Sequence, residues 1–69
     1  MTRLEAFIQS NGIHPAQLAR EAGVSRKHLF WLRMGKAEPT RVMMIRVAAG
    51  CSHILQRNVE VPELFAMGG

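Results

Sequence analysis

Leu18-Ala19-Arg20-Glu21-Ala22-Gly23-Val24-Ser25-Arg26-Lys27-His28-Leu29-Phe30-Trp31-Leu32-Arg33-Met34-Gly35-Lys36 reads as two helices joined by a short turn. Gly23 ends the first helix, where the turn asks for a positive φ that glycine alone takes cheaply. Ser25 is a preferred N-cap for the second, and Met34-Gly35 closes it. Ala19 is small where the two helices would cross closely, and Val24 plugs the angle between them. Leu29 and Leu32, three residues apart, fasten the second helix to a core. The opposite side of that helix then carries Lys27, Phe30, Trp31 and Met34, with Arg26 at its margin. Large aromatic side chains aimed away from a core, beside cations, are costly to leave in water.

Working outward, the flanking segments are helical too. Thr2-x-x-Glu5 has the spacing of a capping box. Leu4, Phe7 and Ile8 follow as one apolar stripe on a short helix that stops at Asn11-Gly12. The helix ahead of the turn begins at His14-Pro15, with proline in the first helical position, where its missing N–H costs nothing. Thr40 caps a fourth helix, whose stripe of Met44, Val47, Ala48, Cys51, Ile54 and Leu55 keeps the helical period across Gly50 to about Gln56. Val59-Glu60-Val61 alternates like an extended stretch, and Pro62-Glu63-Leu64-Phe65 reads as a last helical turn. The expected fold is all-α, with five short helices in a single domain over residues 1–69 and the helix-turn-helix at about 15–35.

The 69 residues leave no room for a large catalytic scaffold. An apolar fraction of 48% excludes a disordered linker. No apolar run approaches the roughly 20 residues of a membrane helix, and the first five residues lack a signal-peptide core. One cysteine, Cys51, cannot form an internal disulfide, so the expected compartment is the cytoplasm, for a nucleoid-associated protein. The net charge of +4 is concentrated. Between Arg26 and Arg46 stand six basic residues and one acid, whereas the remainder holds three basic and four acidic. A surplus confined to one block has the form of a nucleic-acid footprint; the alternative is a solvated face that keeps the chain soluble.

The spacing Leu-Ala-x-x-x-Gly-Val-Ser-x-x-x-Leu-x-x-Leu-x-x-Gly-Lys runs without a gap from Leu18 to Lys36. It resembles the helix-turn-helix of the lambda-repressor and Cro-like (XRE-like) DNA-binding family, and Pro39-Thr40 and the Leu64-Phe65 ending extend the likeness over nearly the whole chain. The resemblance implies sequence-specific binding of double-stranded DNA by a transcriptional repressor or regulator of the phage-repressor type. A homodimer would place two recognition helices about one DNA turn, roughly 34 Å, apart on an operator. It also implies that Arg26, Lys27 and Trp31 read base edges, with Phe30 either beside them or against helix 1 or 4. Phosphate would be held by Ser25, His28, Lys36, Thr40 and Arg41. Where the family often has a phosphate-binding glutamine this chain has Pro15, so His14 or Gln17 takes that role. Arg33 stands where a glutamate is common and adds charge near the duplex. The late apolar residues Ile54, Val59, Val61, Leu64, Phe65 and Met67 exceed what a small monomer readily buries and are expected to form the dimer interface.

Other residues that invite chemistry are sparse. His14, His28 and His53 are scattered, and Cys51-Ser52-His53 lacks the paired ligands of a zinc site. Cys51 lies in the apolar stripe as a buried thiol, and Met43 and Met44 are core filler. No oxyanion loop accompanies the histidines. No enzyme activity, metal, cofactor, small-molecule substrate or membrane partner is expected. Two rival functions remain open: the antitoxin half of a toxin–antitoxin pair, which would bind DNA and a toxin, and a protein-interaction module using Phe30 and Trp31.

Overall fold

The caps and breakers act where they stand in the sequence. The computed structural model describes residues 1–66, and Met67 lies outside the described residues. Helix α1 (Arg3–Ser10) starts at Thr2, whose Oγ1 accepts the Glu5 N–H at 3.0 Å. Only this half of the expected capping box forms, because the Glu5 carboxylate turns to Arg33 instead. Helix α2 (Pro15–Ala22) opens on its proline and ends at Gly23, with φ 70° and ψ 32°. The Val24 N–H then reaches back to Ala19 O at 3.0 Å. Helix α3 (Arg26–Arg33) is capped by Ser25 Oγ, which accepts the His28 N–H at 3.0 Å.

Helix α4 (Arg41–Leu55) is capped by Thr40 and runs unbroken through Gly50 to Gln56, itself left-handed at φ 55°. Helix α5 (Val61–Leu64) is one turn, held by a reciprocal pairing of Glu60 and Glu63. The extended reading of 59–61 holds only up to Glu60; Val61 is already helical. The described residues contain five helices and no strand. None of these helices is long and apolar enough to cross a membrane.

The left-handed Gly23 makes a direct prediction. Gly23→Val puts a β-branched side chain at positive φ, at a cost of roughly 1–3 kcal/mol. Its thermal midpoint is expected to fall below the parent's in a calorimetric scan; an unchanged midpoint would contradict this turn.

α2 packs most extensively on α4, and Gly50 makes that approach possible. A Cβ built there would lie 3.1 Å from both Ala22 N and Leu18 Cδ1. Leu18, Ala19 and Ala22 from α2, Leu29 and Leu32 from α3, and Val47, Ala48 and Cys51 from α4 form the centre of the core. Leu4 and Ile8 of α1 cover one side.

The C-terminal segment corrects the expected dimer surface. Val59, Leu64 and Phe65 are buried inside the chain's own core. Ser52 explains part of this: its Oγ accepts the Val59 N–H at 2.9 Å and donates to Ala48 O at 2.8 Å, clipping the segment onto α4. α5 then folds back against α1 and α4. Three side chains counted as surplus thus complete the monomer, and Ile54 and Val61 are half-buried against it. The exposed aliphatic surface lies elsewhere, at Val42 and Ile45 of α4, which are 58% and 54% exposed.

Candidate nucleic-acid interface

Burial of Leu29 and Leu32 fixes which side of α3 faces outward. Arg26, Lys27, Phe30, Trp31 and Met34 are all exposed, Phe30 at 47% and Trp31 at 41%. Phe30 therefore does not tuck against α1 or α4. Each aromatic ring is accompanied by a cation: Lys27 Nζ lies 5.2 Å from the Trp31 ring centre, and Arg33 Cζ 6.0 Å from that of Phe30. Such contacts are worth about 0.5–1 kcal/mol at exposed sites. The Lys27 contact keeps a free positive charge beside the Trp31 ring on this eight-residue helix.

Arg33 does not add charge to this surface as expected. Its guanidinium forks onto Glu5 of α1, with Nε to Oε1 at 2.6 Å and Nη2 to Oε2 at 3.0 Å. Gln9 donates to the same carboxylate at 3.1 Å. The hydrogen bond from Arg33 holds the Glu5 carboxyl below its usual range, against the opposing push of burial. Arg33 is thereby a neutralised strut between α1 and α3 rather than a free charge.

The uncapped start of α2 and the Ser25-capped start of α3 meet at a hollow of about 420 Å³, lined by His14, Pro15, Ala16, Arg26, Lys27 and Phe30 among others. His14 provides no side-chain cap for α2, and Pro15 has no N–H. The first-turn N–H groups of Ala16 and Gln17 are therefore left to an outside acceptor, at the positive end of the helix dipole. Ser25 Oγ and Thr40 Oγ1 each accept one backbone N–H, which leaves the hydroxyl protons to donate.

Against known protein families, curated proteins and solved structures, the chain finds no match.

The structure brings His14, Arg26 and Lys27 around one hollow, with Trp31 alongside Lys27. Gln17, Lys36, Thr40 and Arg41 are exposed but do not line it, and His28 is half-buried. Phe30 stands on the outward side of α3. Its angular position, far from the line through Leu29 and Leu32, accords with that exposure. Elsewhere, burial pushes the Cys51 thiol up to about 11. At neutral pH Cys51 is a protonated, buried thiol. A disulfide reagent added to the native protein at pH 7.5 is expected to react far more slowly than with the protein in 6 M guanidinium. Equal rates would contradict its burial.

Proposed function

We propose that this chain is a sequence-specific double-stranded DNA-binding regulator of the lambda-repressor-like, helix-turn-helix type, acting as a homodimer on an operator. The observation that carries the reading is the outward face of α3: Arg26, Lys27, Phe30 and Trp31, exposed together and continuous with the uncapped start of α2. With its side chains an α-helix is about 10–12 Å across, which matches the width of the major groove. Arg26 and Lys27 suit guanine O6 and N7, and the indole of Trp31 suits a thymine methyl. Ser25, Thr40, Lys36 and Arg41, with His14 and the α2 N–H groups, suit phosphates and set the register of the helix. Regulation would follow from occupancy of the operator, without chemistry or a cofactor.

Selection of bound duplexes from a random library tests this. Enrichment of a common motif, bound with an affinity that falls steeply with salt, is the expected result. A library that emerges unenriched, with no salt-dependent binding, would overturn the reading.

A further inference from the structure

The exposed aliphatic strip on α4 takes no part in reading the duplex. Val42, Ile45 and Ala49 follow one another at i, i+3 and i+7 on the solvent side of the helix, opposite Val47 and Cys51. Ile45 stands as a ridge between two hollows. One, of about 190 Å³, is formed with Arg41, Met44 and Val61. The other, of about 470 Å³, continues along Ala49 and Ser52 to Glu60. Both hollows open to solvent and have room for a side chain like Ile45, so the ridge of a second copy can lie in them.

Charge points to the same occupant. Arg46 borders the strip on one side and Glu60 on the other. Both are exposed, and among the described residues neither has an ion-pair partner, the Glu60 carboxylate accepting from the Asn58 amide. A two-fold axis running along α4 sets the Arg46 edge of one protomer against the Glu60 edge of its partner, twice over. We propose that this face, centred on Ile45 and edged by Arg46 and Glu60, is a self-complementary surface that joins two copies of this chain. It gives the homodimer of the preceding proposal a surface in place of the buried Val59, Leu64 and Phe65. It also stands without DNA, so the two readings can fail separately.

Sedimentation equilibrium of the full chain, without DNA and across the micromolar range, tests it. The parent is expected to show a concentration-dependent dimer. Ile45→Glu, at an exposed position, is expected to keep the parent's helical circular dichroism while weakening self-association by more than about tenfold. Arg46→Gln and Glu60→Gln should each weaken it, and the double variant should be little worse than either alone, since the two changes remove one shared contact. Gln at position 60 keeps an acceptor oxygen for the start of α5. A parent that stays monomeric to several hundred micromolar, or an Ile45→Glu dimer as tight as the parent's, overturns the proposal. Fully additive losses at 46 and 60 overturn the pairing of the two edges. Duplex binding by a persistent monomer would leave the DNA reading standing while this one fell.

Discussion

Glu5→Arg is expected to lower the unfolding free energy by about 3 kcal/mol, and adding Arg33→Glu to restore most of it. Removing one partner of a buried pair typically costs roughly 3–5 kcal/mol, because the other charge is left desolvated and unpaired. The side chains here are 10% and 20% exposed, and the fork makes two charge-assisted bonds, so the lower end of that range applies. Urea midpoints at unchanged slope would measure it. If the double variant were no more stable than Glu5→Arg alone, the pair would not be the source of the loss. The same pair fixes the acid response. Glu5 titrates below its ordinary 4.5 in the folded state, so its contribution is present above that value and disappears as pH falls below it. In Glu5→Gln, already weakened at neutral pH, the further loss between about pH 4.5 and 2 is expected to be smaller than in the parent.

Helix ends were legible because they are written in local chemistry. Thr2, Ser25 and Thr40 cap through their own hydroxyls, and Gly23 needs only its own dihedral freedom. The Glu5–Arg33 strut was not legible, since it joins positions 28 apart in the chain and its local signal pointed to a capping box instead. Arg33 was accordingly read as a free charge. Gly50 is a similar case. Periodicity shows that α4 passes through it, but only the crossing with α2 explains why a side chain has no room there.

The burial of Val59, Leu64 and Phe65 escaped the sequence for a related reason. Counting apolar side chains against chain length assumes that the end of the chain is peripheral. Here Ser52 ties the segment after α4 down, and Leu64 and Phe65 become part of the core. Val42 and Ile45 carried a signal that went unused: on the α4 wheel they fall opposite the stripe of Val47 and Cys51. The α3 face was more readable, because two leucines on an eight-residue helix fix the direction of the rest. What those side chains touch outside the chain is a different matter, and it rests on the chemistry of the face.

That chemistry separates reading from holding. On a duplex enriched from the random library, Lys27→Ala and Trp31→Ala are expected to cost roughly 1–3 kcal/mol each, and much less on unselected duplex. Lys36→Ala, which removes a charge outside the α2–α3 hollow, is expected to weaken both duplexes alike and to reduce the salt slope by about one. Lys27→Ala has a second consequence. Its ammonium sits over the Trp31 ring, so the variant also frees the indole. The losses from Lys27→Ala and Trp31→Ala should therefore be less than additive in the double variant. Trp31 is the chain's one tryptophan, and its fluorescence should change on binding the enriched duplex in the parent and in Lys36→Ala. Were α3 instead a protein-binding face, with the basic block serving solubility, no variant would discriminate between the duplexes and the indole would report nothing. Equal losses on both duplexes for all three variants would remove Lys27 and Trp31 from base reading while leaving charge-driven binding intact. The comparison thus tests the assignment of these residues separately from the attraction of a cationic domain to DNA.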